Sequence, residues 1–140
     1  MNLTAAIHAR LAGDATLAVF LAEYAGAPAV FTTDPAPGDA ELPYIVSAGE
    51  VAQRPYDTKT TRGRQVYRDV RCYAPASGSA VVVEEIAERV RALLHRHALA
   101  VDGHATWVAE ASGPVAADEE DAYGRIVSLR LLLQEEGEGS

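Results

Sequence analysis

Apolar positions repeat with a helical period in two segments of the chain. The first segment opens the sequence, and the second follows the turn at residues 74–78. Spacings of three and four place such residues on one face of a helix. In the second segment acidic residues come first and basic residues last, which suits the helix dipole. The two predicted stripes are Leu3, Ala6, Ile7 and Leu11, and then Val82, Ile86, Val90, Leu93 and Leu94.

Four other segments carry the alternation or the composition of β-strands. Residues 42–53 begin with Leu42-Pro43, and proline suits the first residue of a strand. After a polar connection, residues 64–73 return and complete a long hairpin. A shorter strand is predicted around Trp107, and Ser112-Gly113-Pro114 bends or ends it. Residues 123–133 form the last strand, with one apolar face made by Val127, Leu129, Leu131 and Leu133.

Turn and capping signals separate these elements. Asp14 is placed to cap a second short helix, and Ser79 is placed to cap the helix that follows it. The segment 34–39 holds two prolines and a glycine, which predicts a surface loop. Residues 117–122 predict an acidic turn. A strand at residues 29–32 is also compatible with the pattern.

The order of these elements predicts an α+β fold. Helices come first, then two long strands, a helix and two more strands, and no βαβ repeat dominates. The simplest architecture is an antiparallel β-sheet with the helices packed on one face and a long β-hairpin arm. A length of 140 residues suits one domain. We expect this domain at residues 1–134 and a flexible acidic tail at residues 135–140.

Charge is distributed unevenly along the chain. The net charge of −8 argues against nucleic-acid binding by the whole surface. Eight of the twenty acidic residues nevertheless lie between Glu110 and Glu138, and half of the twelve basic residues lie on the predicted hairpin. Patches of opposite sign suit head-to-tail self-association, and we expect this hairpin to contact a neighbouring subunit or another partner; the alternative is a solvated loop. The basic residues are Arg54, Lys59, Arg62, Arg64, Arg68 and Arg71.

Patterns typical of catalysis or of cofactor binding do not emerge. The spacing of His95, His97, Asp102 and His104 matches no metal motif. Ser112 lies outside a nucleophile elbow, and no phosphate-binding glycine loop occurs. Cys72, the only cysteine, alternates within a strand and is interpreted as a buried, inert thiol. We expect no catalytic, cofactor or metal site, and no apolar run long enough for a membrane span.

Four stretches together resemble the tail-terminator, or minor tail component, family of long-tailed phages and phage-like gene transfer agents. They are the opening helix with its loop, residues 3–17; Leu42-Pro43-Tyr44-Ile45-Val46; residues 58–63 with the strand to Tyr73; and the helix with Ile86, Ala87, Val90 and Leu93. Their order and spacing carry the resemblance, which covers about residues 3–133. The acidic stretch between Trp107 and Tyr123 matches no pattern of that family.

The resemblance implies a structural subunit and not an enzyme. Members of such a family form a homo-oligomeric ring, a hexamer, that terminates the tail tube and joins it to the head. The implied partners are the tail tube protein, a neck or head-closure protein, and DNA that passes through the channel without sequence specificity. The implied location is the tail–neck region of a virion or phage-like particle assembled in the host cytoplasm. Phage and gene transfer agent stay equally open.

Two other functions stay open at this point. A head-closure or stopper protein would occupy a neighbouring ring of the same neck. A small hydrolase or a regulatory binding module would show a deep pocket that holds His95 or His104. Molar mass in solution separates these alternatives, since the structural roles need a ring.

Overall fold

A computed structural model describes residues 2–48, 50–59 and 61–135 of the protein. Three helices and eight strands occur in these residues. The helices are α1 (Leu3–Ala12), α2 (Ala15–Phe20) and α3 (Val81–Leu94). The strands are β1 (Glu23–Tyr24), β2 (Ala27–Pro28), β3 (Val30–Phe31), β4 (Tyr44–Val46), β5 (Glu50–Pro55), β6 (Gly63–Pro75), β7 (His104–Ala116) and β8 (Ala122–Glu135).

One large sheet organises the molecule. Its strand order is β3-β4-β6-β8-β7, and β5 extends the sheet along the same edge of β6 as β4. Every pair is antiparallel except β3 with β4, which is parallel. β1 and β2 form a separate small hairpin. The predicted α+β fold with a mainly antiparallel sheet is confirmed.

The predicted long hairpin is present, with its first strand divided. β4 pairs with the far end of β6, where Tyr44 lies opposite Tyr73, and β5 pairs with its beginning, where Pro55 lies opposite Arg64. The register shifts within β5, as in a bulge. Hydrogen bonds order the connection between β5 and β6: the Thr58 N–H donates to the Thr61 carbonyl (2.9 Å).

The helices cover one face of the sheet. On β6 the inward residues Val66, Val70 and Cys72 are fully buried, while the alternate residues Tyr67 and Asp69 are partly exposed. The predicted inner face of β8 is confirmed, since all four of its residues are at most 2% exposed. Leu3, Ile7 and Leu11 of α1 and the buried stripe of α3 complete this core.

The buried stripe of α3 differs from the predicted one at two positions. Val83 is buried, whereas Val82 is 42% exposed and Leu93 is only partly buried. The N-cap position belongs to Ala80, and the Ser79 hydroxyl accepts from Val81 N–H at 3.4 Å. The predicted and the observed stripes both follow helical spacings of three and four residues. The helical period alone therefore does not determine which stripe faces the sheet. The stripe is Val83, Ile86, Ala87, Val90 and Leu94.

Asp14 caps α2, as predicted, and also ties it to α3. Its carboxylate accepts from the Leu17 N–H at 3.0 Å and from the Arg89 guanidinium at 2.7 and 3.0 Å. The hydrogen bond from Arg89 lowers the pKa of Asp14. A single carboxylate therefore satisfies a helix terminus and joins two helices.

The bend predicted at Ser112-Gly113-Pro114 interrupts β7 without ending it. The register with β8 shifts between Ser112 and Val115, and the strand continues to Ala116. Glu135, which the sequence analysis placed in the tail, belongs to a strand. Glu135 closes β8 and its N–H donates to the Arg62 carbonyl (2.8 Å), while residues 136–140 lie outside the described residues. Within residues 2–48, 50–59 and 61–135, no helix is long and apolar enough to cross a membrane.

Candidate partner-contact surface

The six basic residues predicted to form a contact arm occupy three different places. Four of them are exposed at the end of the sheet where β5 turns into β6: Arg54, Lys59, Arg62 and Arg64. Arg71 is half-buried on the face of the sheet opposite the helices, and Arg68 is buried on the helix-covered face. The hairpin end therefore holds four of the six.

Arg68 lies in the interior and does not contribute to the exposed surface, contrary to the sequence-based expectation. Arg68 is 1% exposed, and its guanidinium donates a hydrogen bond to the Thr4 hydroxyl of α1 at 3.1 Å. The alternation in β6 puts Arg68 on the same face as Val66 and Val70, which α1 and α3 cover. Arg68 therefore holds α1 on the sheet.

Arg71 belongs to the opposite end of the sheet from the hairpin turn. A hydrogen bond with Tyr73 raises the pKa of Arg71, and the charges of Asp34 and Asp69 add to this effect. Arg71 therefore lies near the acidic residues Asp34 and Asp69. The structure does not bring Arg71 together with the four exposed basic residues.

An open groove of about 400 Å³ lies at the hairpin end, and three arginines line it: Arg54, Arg62 and Arg64. Its wall includes Asp57, which accepts from the Gly63 N–H at 3.1 Å. A side chain at Gly63 would meet the carbonyl oxygens of Leu133 and Tyr56 within 3 Å, so the strand start requires glycine. Within the described part of the chain, no ion pair involves these arginines or Lys59.

Two exposed aromatic side chains flank the same end. Trp107 is 62% exposed and Tyr56 is 50% exposed, and both line a shallow depression with Leu132 and Leu133. Trp107 lies where the register of β7 shifts against β8, as in a bulge. Aromatic residues and arginine are enriched in protein interfaces. We name the basic end as Arg54, Lys59, Arg62 and Arg64 together with Tyr56 and Trp107.

The opposite end of the sheet is acidic. The turn between β7 and β8 exposes Glu119, Glu120 and Asp121, while Asp118 is occupied by the Gly124 N–H (3.0 Å) and Arg125 (3.1 Å). Asp34, in the loop that follows β3, lies near this end too. Burial raises the pKa of Tyr44, and the charges of both Glu119 and Asp34 raise it further, so both carboxylates lie near Tyr44. We name the acidic end as Asp34, Glu119, Glu120 and Asp121.

The two ends are separated by the full length of the sheet. β6 starts at the basic end and β8 starts at the acidic end, and the 13 residues of β6 all pair with β8. At a rise of about 3.3 Å per residue, the ends lie roughly 40 Å apart. The sequence showed two charge clusters, and the pairing of β6 with β8 places them at opposite ends.

The acidic stretch recognised in the sequence does not act as one unit. Glu110 lies on β7 and forms an ion pair with Arg130 of β8 at 2.6 Å. The pKa of the Arg130 guanidinium is also raised, and the hydrogen bonds that it donates to Tyr67 and Glu110 are the largest causes. This ion pair joins β7 to β8 on the outer face of the sheet. Among the described residues, the acidic side chains without an ion pair in this stretch are those of the β7–β8 turn, Glu119, Glu120 and Asp121.

Three of the residues considered for catalysis or metal binding, His95, Ser112 and Cys72, make contacts within the sheet or lie buried in it. The His95 ring Nδ1 accepts from the Ala111 N–H (3.1 Å) and so covers part of the edge of β7. The Ser112 hydroxyl donates to the Ser128 carbonyl at 3.5 Å. Cys72 is confirmed as buried, and this burial raises the pKa of its thiol to about 12. In the part of the chain that the structure describes, no three His, Cys, Asp or Glu residues group as metal ligands.

Comparison with known proteins agrees with the resemblance in the sequence. The sequence profile described as "Tail completion protein gp17" matches residues 5–133. No curated protein sequence matches the chain. A solved chain from the "Virion of native gene transfer agent (GTA) particle" has the same fold, with a TM-score of 0.70 and 21% identity, and the match covers 96% of this chain and 95% of that one.

The family profile spans nearly all of the sheet and the helices that cover it. It begins in α1 and ends near the end of β8, so it includes both the basic and the acidic end. The chain therefore belongs to the tail completion protein gp17 family and is a structural component of the tail region of a phage-like particle.

Proposed function

We propose that six copies of the chain form a ring that terminates the tail tube, joins it to the head through the neck, and leaves an axial channel for DNA. The role is structural and needs no catalysis or cofactor. The observation that carries this proposal is the opposite charge of the two ends of the sheet. A surface that binds a different surface of the next copy produces head-to-tail contacts, and such contacts close into rings when the rotation allows it.

The fold supports a role inside a larger particle. A chain of a gene transfer agent virion shares this fold over nearly its whole length. The exposed Trp107 and Tyr56 suit contact with protein, because aromatic residues are enriched in protein interfaces. The proposed partners are further copies of the chain, the tail tube protein and a neck or head-closure protein.

DNA is proposed as a passing partner and not as a ligand. The net charge of −8 keeps the overall field repulsive toward phosphates. Loose, sequence-independent contact with basic side chains is sufficient for a channel through which DNA passes. Exposed arginines that remain on the inner wall of a ring would serve this purpose. We propose assembly in the host cytoplasm and no contact with a membrane.

The test is the mass and the symmetry of the purified protein. Light scattering should give about six times the 14.8 kDa of one chain, near 89 kDa. Electron micrographs should show a sixfold ring with a central hole. A purified chain that forms rings of another symmetry would contradict the stoichiometry. The function would be contradicted if tails isolated from normal particles carried no ring of this protein at the end that faces the head.

A further inference from the structure

We propose that the basic end of one copy docks onto the acidic end of the next copy, so that the two ends of the sheet form one subunit interface. This inference rests on the proposed ring and names the surfaces that build it. The partner of Arg54, Arg62 and Arg64 is then a second copy of this chain. The surface that the basic hairpin contacts is then the acidic end of that second copy.

The first argument is that both ends carry charges that the subunit itself leaves unpaired. In the described residues, neither Arg62 nor Arg64 at one end, nor Glu120 nor Asp121 at the other, takes part in an ion pair. Some charged side chains between the two ends do pair within the subunit, as Arg130 does with Glu110. Unpaired charges of opposite sign on two distinct surfaces are complementary between copies.

The second argument is shape. The basic end contains a groove lined by three arginines, and the acidic end is a tight turn that projects from the sheet. Backbone hydrogen bonds between Glu119 and Ala122 hold this turn, with the Glu119 N–H donating at 2.8 Å. Glu120 and Asp121 therefore lie at its tip. Arginine binds carboxylates through two parallel hydrogen bonds, which suits a carboxylate tip entering an arginine-lined groove.

The third argument is that both ends also expose apolar side chains. Trp107 and Tyr56 flank the groove at the basic end. Val115 lies next to the acidic turn at the end of β7 and is 63% exposed. Val81 opens α3 and is 57% exposed, and α3 contacts this end through the Glu84–Arg125 pair at 3.7 Å. Apolar contact beside charge pairs adds affinity that charge pairs alone do not supply.

The surroundings of the groove favour a protein partner over DNA. Asp57 and Glu135 line the same groove as the arginines, so its charge is mixed. Phosphates along a duplex would meet both signs, whereas a turn with two carboxylates needs only the arginines. DNA binding at this end is therefore an alternative that the experiment must detect.

The experiment reverses the charge of each end separately. One variant carries Arg62→Glu with Arg64→Glu, and the other carries Glu120→Arg with Asp121→Arg. Each variant alone would bring like charges together, and we expect self-association to weaken by at least about 100-fold. Mixing the two variants restores opposite charges at every contact of an alternating ring. The mixture should regain the wild-type mass, and so should a chain with all four changes.

A matched control moves charge without touching either end. Glu88→Arg with Ala92→Arg changes two exposed residues in the second half of α3, away from Val81 and Glu84, and should leave assembly unchanged. Light scattering and sedimentation give the masses, and the thermal unfolding temperature shows that each variant is folded. If either reversed variant forms rings as the wild type does, or if the mixture stays dissociated, the docking is wrong while the ring stands.

Two further outcomes separate the docking from the proposed function. A wild-type chain that stays monomeric at every concentration tested overturns the docking, and rings seen at the ends of isolated tails would still support the function. Binding to a random-sequence duplex, measured by fluorescence anisotropy, tests the DNA alternative. If the Arg62→Glu, Arg64→Glu variant loses duplex binding and keeps its mass, the basic end belongs to DNA and the docking is overturned.

Discussion

At the scale of single residues, Arg68 shows what alternation alone does not resolve. Both faces of the segment 64–73 mix apolar with charged side chains, so the sequence does not identify the buried one. The decision comes from α1, which lies 64 residues earlier and provides Thr4 as an acceptor. A buried charge is retained only when its surroundings satisfy it. The grouping of Arg68 with exposed arginines followed from proximity in sequence.

Replacing Arg68 should therefore destabilise the fold. Arg68→Ala leaves a cavity beneath α1 and removes the hydrogen bond to Thr4, and we expect a loss of about 2–5 kcal/mol in the free energy of unfolding. Arg68→Met fills most of the volume and should cost less than Arg68→Ala, since it leaves a smaller cavity. Urea titration followed by circular dichroism measures both.

The control for this prediction is the exposed arginine on the same strand. Arg64→Ala removes the same side chain from the basic end, and its effect on the free energy of unfolding should stay within about 0.5 kcal/mol. Equal losses for Arg64→Ala and Arg68→Ala would show that Arg68 does not lie in the core.

At the scale of elements, α3 was predicted correctly in position and charge order, and one side of its stripe was wrong. Apolar residues occur at 81, 82 and 83 in succession, so two helical phases fit the same segment. Packing against β6, β7 and β8 selects the phase that buries Val83 and Leu94. The helix period is local information, whereas the choice of phase depends on the sheet.

Two truncations in α3 should separate these phases. Leu94 is 1% exposed, so Leu94→Ala should cost about 2–5 kcal/mol in the free energy of unfolding. Val82 is 42% exposed, and Val82→Ala should cost less than about 1 kcal/mol. Chemical denaturation of both variants gives the comparison. If Val82→Ala proves the more costly of the two, the observed phase is incorrect.

At the scale of the whole molecule, the sequence predicted the fold class, the hairpin and the inner face of β8. These features follow from alternation and turn residues, which are local. The pairing of β6 with β8 joins residues that are about 50–70 positions apart, and no local pattern specifies it. That pairing sets the basic and acidic ends on opposite sides. The candidate site was therefore only partly predicted, because its four exposed basic residues and its acidic turn were predicted and their separation was not.

The pairing also explains why exposed aromatic residues escaped the sequence analysis. Trp107 was assigned to a strand, where a large aromatic residue usually packs inward or against a neighbour. The register shift between Thr106 and Val108 places it at a bulge, and it is 62% exposed there. A bulge depends on the partner strand, so its position is not encoded in the segment around Trp107 alone.

The length of the tail tubes distinguishes a terminator from a neighbouring neck protein. A ring that caps the tube stops its growth, so particles produced without this chain should contain free heads and tubes of widely varying length. A head-closure or stopper protein acts only on the head, so its loss would leave tubes of normal length beside heads without DNA. The measurement is the distribution of tube lengths in electron micrographs of lysates with the gene deleted.

Supplying variants in place of the missing chain makes this prediction specific to the surfaces described above. The Glu88→Arg, Ala92→Arg control should restore a single tube length, because both residues are exposed in the second half of α3, away from Val81 and Glu84 at the acidic end. The basic-end reversal, Arg62→Glu with Arg64→Glu, should leave tubes of mixed length, because a subunit that does not close a ring does not cap a tube. Tubes of uniform normal length in the deletion would exclude the terminator role and favour the head-closure function. If the deletion gives tubes of mixed length but the basic-end reversal restores a uniform length, the terminator role stands and the contact between subunits is made by another surface.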